Sequence, residues 1–136
     1  MKGIRVLALI ALGFLSVTSM MGGIPLILDP SGGLLHMPLS LLEHSPFHNF
    51  LIPGIILLVA NGLLSVVAFV ATIRRGRGFG ILVAFQGCVI VGWITVEVIV
   101  LRSVAWPHYL YWAVGLILIG SGIMLRRDGQ AASPTR

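Results

Sequence analysis

The chain contains four apolar runs, each long enough for the roughly 20 residues of helix that cross a bilayer. They cover residues 4–28, 50–73, 79–101 and 107–125. Hydrophobic residues make up 57% of the chain and charged residues only 10%, which is too few charges for a shell that faces water on every side. We therefore predict an all-α membrane protein: one four-helix transmembrane domain over residues 1–125, followed by a cytoplasmic tail over residues 126–136.

The first run begins like a secretory signal peptide, because Lys2 and Arg5 precede it. Its apolar stretch continues to Leu28, however, well beyond the roughly 7–15 residues of a signal peptide's apolar region. We therefore expect this run to be retained as the first membrane helix.

Basic residues and histidines lie at opposite ends of the four runs. All four histidines, His36, His44, His48 and His108, lie where the first and third runs end and the second and fourth begin, whereas all Lys and Arg residues except Arg102 lie at the other ends. Under the positive-inside rule this pattern predicts a multi-pass protein with both termini in the cytoplasm. The net charge of +5 is spread along membrane boundaries instead of forming a basic face. We therefore expect membrane lipids, and not nucleic acid, as its counter-charge.

The connection between the first two runs, residues 29–49, is long enough to have structure of its own. It opens with a cluster of turn-forming residues, Asp29 to Gly33. Residues 38–44 begin with a proline and contain three leucines, which predicts a short interfacial helix with its leucines in the membrane surface. Such a helix would lie over the outer mouth of the bundle as a lid.

The histidines of this connection raise the question of a metal site. His44 and His48 have the spacing of one helix face, and Glu43 is beside them, but Pro46 interrupts a continuous helix. These side chains therefore have three interpretations: interfacial groups bonded to water or backbone, metal ligands, or protonation sites. The sequence predicts no cofactor, and its single cysteine, Cys88, excludes an internal disulfide or an all-thiolate cluster.

Helix 3 carries two faces that both favour protein neighbours. Small residues recur every four positions in it, which predicts a surface for close helix packing; they are Gly80, Ala84, Cys88 and Gly92. Gln86, Trp93 and Glu97 cluster on nearly the opposite side. One face would serve the bundle, and the other would meet a second copy, another membrane subunit or a cavity.

Glu97 is the only carboxylate inside an apolar run. Embedded acids are costly and usually face a cavity or a partner. Glu97 therefore predicts an ion or proton site, with Gln86, Asn61 and His108 as further polar groups. The alternative is a structural role, in which Glu97 extends to the membrane interface or bonds to His108, Tyr109 or a neighbouring helix. Asn61 would then bridge two helices.

No phosphate loop, nucleophile triad or paired-carboxylate site can be assembled from residues on one membrane face. We therefore predict a protein that is not an enzyme. The leading hypothesis is a membrane protein that self-associates, or packs into a larger membrane assembly, through helix 3. The alternatives are a small transporter or channel that uses Glu97, and a metal-binding protein that uses the outer histidines.

The segment from Gly22 to Gly54 carries paired glycines, then Asp-Pro-Ser-Gly, Met-Pro-Leu, Ser-Pro-Phe and Ile-Pro-Gly. In these elements it resembles uncharacterised small bacterial membrane proteins with four predicted helices. The resemblance implies a four-helix membrane architecture, an ordered outer connection and no known activity. We expect the protein to lie in the bacterial plasma (inner) membrane. The histidines are not part of the shared pattern.

Overall fold

The computed structural model describes the backbone of residues 2–132 and the side chains of residues 2–127. It contains four long helices and, within the described residues, no strand. These are α1 (Lys2–Leu28), α2 (Leu51–Arg74), α3 (Phe79–Leu101) and α4 (Trp106–Ala132). The predicted all-α four-helix bundle is therefore confirmed.

All four helices are long and apolar enough to cross a membrane. Their bounds agree closely with the apolar runs, except that α4 continues beyond residue 125 into the predicted tail. The apolar run marks only where lipid contact ends. Arginine, glutamine and alanine are good helix formers, so the backbone stays helical beyond that point. Residues 133–136 of the predicted tail lie outside the described part.

Consecutive helices run antiparallel. The four helices form a ring, because α1 packs against α2 and α4, and α3 packs against the same two helices. The core between them is formed by fully buried side chains of all four helices, including Leu12, Leu15, Ala68, Val83, Ile90 and Leu118. We call the end that holds the connections 29–50 and 102–105 the histidine side. The other end, which holds the N-terminal residues and the turn 75–78, is the arginine side.

The contact between α3 and α4 is the closest in the bundle, because glycines of the two helices face each other. A Cβ atom added at Gly87 would lie 2.6 Å from the carbonyl oxygen of Gly115. One added at Gly122 would lie 2.6 Å from the carbonyl oxygen of Gly80. Only hydrogen atoms fit between backbones at these two points. Such close approach maximises van der Waals contact where lipid removes the hydrophobic drive for helix pairing.

Two contacts hold α1 against α2 at opposite ends. Near the histidine side, a Cβ atom added at Gly23 would lie 3.1 Å from the carbonyl oxygen of Gly54. On the arginine side, the guanidinium of Arg5 donates to the carbonyl oxygens of Thr72 at 3.1 Å and of Ile73 at 3.0 Å. The last carbonyls of a helix have no partner within it, so a cation placed there satisfies them and their dipole. Arg5 thus has a structural role in the bundle.

The middle of α2 is a π-helical segment, Leu57–Leu63. At its end the backbone N–H of Leu64 donates to the carbonyl of Val59, five residues earlier. The next carbonyl, that of Ala60, accepts a hydrogen bond of 3.2 Å from the side-chain amide of Gln86 on α3. A wider turn thus coincides with a side chain that reaches into the backbone of the neighbouring helix.

The connection on the histidine side is ordered, but the short interfacial helix predicted over residues 38–44 is not confirmed. Two short 3-10 helices occur in the connection, Gly33–Leu35 and Leu39–Leu42. The second ends where both the N–H and the hydroxyl of Ser45 bond to the carbonyl of Leu42. Ser45 thereby offers the backbone an alternative to continued helix.

The start of this connection is a tight turn held by Asp29 and Gly32. The hydroxyl of Ser31 donates to the Asp29 carboxylate at 2.6 Å, and this bond lowers the pKa of Asp29 below its ordinary value. Gly32 has a φ of +81°, and its carbonyl accepts the N–H of Met37 at 2.9 Å. A glycine suits this left-handed conformation because a Cβ atom there would also meet the ring of Phe50 at 2.9 Å.

The α3–α4 contact predicts different effects on thermal stability for two nearby glycine substitutions. Gly122→Ala should lower the thermal unfolding temperature in detergent, because its Cβ would meet backbone atoms of α3 and force the helices apart. Gly120→Ala is the matched control, since open space surrounds Gly120. It should leave the temperature unchanged or raise it, because alanine favours helix by up to about 1 kcal/mol over glycine. Equal effects would contradict the described packing.

Candidate functional site

A cavity of about 300 Å³ lies within the bundle on the histidine side. All four helices contribute to its walls, and five side chains of the long connection cover it: Leu35, Met37, Leu42, Phe47 and Phe50. Leu42 and Phe50 are buried there against Leu26 of α1. The connection is therefore packed onto the bundle as a cover, although the predicted short interfacial helix is not confirmed.

The cavity is mainly apolar, with a small number of polar groups. Leucine, isoleucine, valine and phenylalanine side chains make up most of its surface, and Trp93 and Tyr111 add aromatic rings. The polar groups are Thr18 and Ser19 of α1, Glu97 of α3 and His108 of α4. An apolar enclosure with few polar groups is the usual composition of a small-molecule site.

Glu97 and His108 lie beside each other on the cavity wall. The distance from Nε2 of His108 to Oε2 of Glu97 is 4.0 Å, which is within the range of an ion pair but too long for a hydrogen bond. The His108 side chain is 10% exposed and that of Glu97 is 35% exposed. The prediction that these two residues act together is thus consistent with their positions, one on each of the two most closely packed helices.

The protonation of His108 follows from its second contact. Its Nδ1 accepts a hydrogen bond of 2.9 Å from the backbone N–H of Ala105. A nitrogen that accepts a hydrogen bond carries no proton, so this geometry describes a neutral imidazole with its proton on Nε2, the atom that faces Glu97. When Glu97 is ionised, the pair of Glu97 and a neutral His108 carries a net charge of −1.

No lysine or arginine offsets that charge within the described residues. Arg102 is only five residues beyond Glu97, but it ends α3 in a left-handed conformation with φ +54° and is exposed. Among residues 2–127, the contact with His108 is the one that brings a basic side chain within 4.0 Å of the Glu97 carboxylate. Glu97 therefore remains available to a positively charged guest.

A second polar group lies deeper in the bundle. Asn61 and Ser65 of α2 and Gln86 of α3 are all 0% exposed. Four of their atoms have no hydrogen-bond partner: both polar atoms of the Asn61 side chain, the Ser65 hydroxyl and Oε1 of Gln86. We call these three residues the buried polar cluster. Its residues do not line the cavity, although Leu57 and Ile90, each one helical turn nearer the histidine side, do.

The four residues predicted as an ion or proton site are thus divided between two places. Glu97 and His108 share the cavity wall, whereas Gln86 and Asn61 belong to the buried polar cluster. Ser65 was not predicted at all. A signal for it exists in the sequence, because polar or small residues recur at the spacing of one helix face: Asn61, Ser65, Ala68 and Thr72. In the structure all four are fully buried. The π-helical segment had no comparable signal.

The candidate metal ligands His44, His48 and Glu43 are all exposed on the connection. Among the described residues, no group of three or more His, Cys, Asp or Glu side chains is close enough together to hold a metal ion. The turn at Ser45 and Pro46 separates His44 from His48, so the helix face that would have aligned them does not form.

The small-residue stripe of α3 is only half used within the chain. Gly80 and Ala84 pack against Gly122 of α4, but Cys88 is exposed and open space surrounds Gly92. The packed face continues through Gly87 instead. A repeat of exactly four residues drifts around a helix of 3.6 residues per turn, so the third and fourth members leave the face that the first two share.

Comparison with protein-family models, with curated proteins and with solved structures gives no match to this chain.

Proposed function

We propose that this protein is a small membrane transporter that binds an amphipathic cation in the cavity on the histidine side. The observation that carries the proposal is the Glu97–His108 pair on the wall of a covered, mainly apolar cavity. The activity proposed is non-covalent binding and passage, without a chemical step. It develops the transporter alternative of the sequence, in which Glu97 is the functional acid.

The two parts of such a ligand match two parts of the cavity. A positive group would pair with the Glu97 carboxylate, whose charge the neutral His108 does not cancel. Trp93 and Tyr111 line the same cavity, and aromatic faces also attract cations. The apolar part would lie against the leucine, isoleucine and phenylalanine side chains. An embedded acid near a cavity is a recognised mark of an ion or substrate pathway.

The cover formed by the connection supplies a means of access. Five apolar side chains of residues 35–50 line the cavity on the histidine side. Two of these, Leu42 and Phe50, are anchored on α1 through Leu26, whereas His44 and His48 are exposed to solvent. We propose that movement of this cover opens the cavity to the ligand. Loops that open and close over a ligand control access in the same way in many enzymes.

Binding can be measured with 4-phenylbutylamine, a small amphipathic cation, by titration calorimetry on protein in lipid nanodiscs, with empty nanodiscs as the blank. Glu97→Gln should weaken binding by about tenfold or more, since a charge-assisted contact is worth about 1.5–3 kcal/mol. Glu43→Gln is the matched control, because Glu43 is exposed on the connection. That change should leave binding unaltered.

The neutral analogue 4-phenylbutanol separates charge recognition from simple apolar partition. It should bind the native protein and Glu97→Gln equally and weakly. Equal affinity of the amine for the native protein and for Glu97→Gln would contradict the proposed site. Uptake of the amine into proteoliposomes then tests transport: binding without uptake would leave a receptor-like binding protein and refute the transporter.

We further propose that the arginine side faces the cytoplasm of a bacterial cell, because basic residues flank every helix end on that side. A fluorescent protein that folds only in the cytoplasm should then be active at either terminus. Alkaline phosphatase, which folds only outside the cytoplasm, should be active when inserted after Glu43. Two termini that report different compartments would overturn this orientation.

A second candidate function is self-association through the lipid-facing side of α3. The observation that favours it is the unused half of the small-residue stripe, where Cys88 is exposed and Gly92 has no neighbour within 4 Å. A second helix could approach closely there. The exposed side chains around these two residues are apolar, among them Ile81, Phe85 and Val96.

Cys88 allows this association to be tested without adding a label. Oxidative cross-linking in native membranes should give a disulfide-linked dimer, and Gly92→Leu should abolish it by blocking close approach. The control is Cys88→Ser combined with Ile10→Cys, which puts the thiol on the exposed side of α1 at a similar depth. A dimer from the Ile10→Cys protein but not from Cys88, or no dimer from either, would contradict association through α3.

A further inference from the structure

The buried polar cluster leaves more hydrogen-bonding capacity unused than an apolar membrane core normally tolerates. Each unpaired polar group in such surroundings costs free energy, on the order of 1–3 kcal/mol in proteins. Here four such atoms belong to only three side chains, Asn61, Ser65 and Gln86, all fully buried. Gln86 makes one bond, to the Ala60 carbonyl, and its other polar atom remains free.

The kinds of atoms indicate the guest. Nδ2 of Asn61 is a donor, Oδ1 of Asn61 and Oε1 of Gln86 are acceptors, and the Ser65 hydroxyl can be either. A bare cation would satisfy the oxygens but would be repelled by the Asn61 donor. A water molecule both donates and accepts, and buried waters typically make about three bonds to otherwise unpaired groups.

The cluster is also next to the cavity. Ser19 lines the cavity, and its Cβ lies 3.8 Å from where a Cβ of Gly62 would be, directly after Asn61 in the sequence. Leu57 and Ile90 form the rest of the boundary, one turn from Asn61 and Gln86 respectively. Side chains of Leu58 and Met20 also contact Gly62, each 3.5 Å from where its Cβ would be.

On the arginine side of the buried polar cluster, the neighbouring residues are apolar. Ala68, the next buried residue on this face of α2, is 0% exposed and belongs to the apolar core with Leu12 and Leu15 of α1. Beyond it, the hydroxyl of Thr72 is already bonded to the carbonyl of Ala68 at 2.7 Å. The unpaired groups therefore end at Ser65.

We propose that water enters through the cavity, passes Ser19 and binds at Asn61, Ser65 and Gln86, so that the protein contains an aqueous half-channel. Along α2 from Leu51 this half-channel reaches Asn61 after about 15 Å, roughly the middle of a bilayer, and Ser65 after about 21 Å. It ends at the apolar layer around Ala68. It shortens the low-dielectric barrier that any charged solute would cross. The inference rests on residues other than Glu97 and holds whatever ligand the cavity binds.

Cysteine labelling tests the half-channel, because a thiol reacts with methanethiosulfonates only as a thiolate, which requires water. In a Cys88→Ser background, Ser65→Cys and the control Ala68→Cys are each treated in nanodiscs with methyl methanethiosulfonate, a small neutral reagent that Glu97 does not attract, and followed by intact mass. Both positions are fully buried and lie on the same face of α2. Ser65→Cys should react about tenfold faster or more, since only its thiol would meet water.

Two further variants define the route. Ser19→Leu should slow the labelling of Ser65→Cys to the Ala68→Cys rate by closing the boundary with the cavity. Glu97→Gln should leave the labelling unchanged, even if it abolishes amine binding. Equal labelling rates for Ser65→Cys and Ala68→Cys would overturn the half-channel. So would a labelling rate of Ser65→Cys that Ser19→Leu does not change. If Ser65→Cys does not fold, Asn61→Cys is used with the same expected result.

Discussion

The close contact of α3 with α4 is the interaction on which the rest of the structure depends. Moving an apolar side chain from lipid to a helix interface gains little hydrophobic free energy, so membrane helices pair where their backbones can come into close contact. Gly80 and Gly87 of α3 meet Gly122 and Gly115 of α4 in this way. The contact sets the relative position of the two helices, and with it the distance of 4.0 Å between Glu97 and His108 near its end on the histidine side.

Polar groups in the bundle lie at two depths along its axis. Glu97 and His108 lie at the cavity wall, and the buried polar cluster lies nearer the middle of the helices. The π-helical segment belongs to the same arrangement, because Gln86 bonds to its Ala60 carbonyl. Non-standard backbone at membrane depth persists where protein groups satisfy it. The proposed transport and the proposed half-channel are therefore two uses of one polar interior.

The cover over the cavity illustrates how a polar connection becomes part of a membrane domain. Its turn at Asp29, Ser31 and Gly32 is held by local hydrogen bonds, which leaves Leu42 and Phe50 free to pack against Leu26. The exposed histidines lie on the opposite, solvent-facing part of the connection. The same segment thus separates apolar contacts toward the cavity from titratable groups toward water.

The sequence by itself determined the four helices and, to within a few residues, most of their ends, because only uninterrupted helix satisfies the backbone across a long apolar run. It also indicated His108 as one of several candidate partners of Glu97, and the structure places the two side chains 4.0 Å apart. It did not predict the π-helical segment, the division of Asn61 and Gln86 from Glu97, or the 3-10 turn that replaces the helix at residues 38–44. Those features depend on which faces of the helices meet, and that is decided by contacts between distant residues such as Gly87 and Gly115, which no local periodicity records.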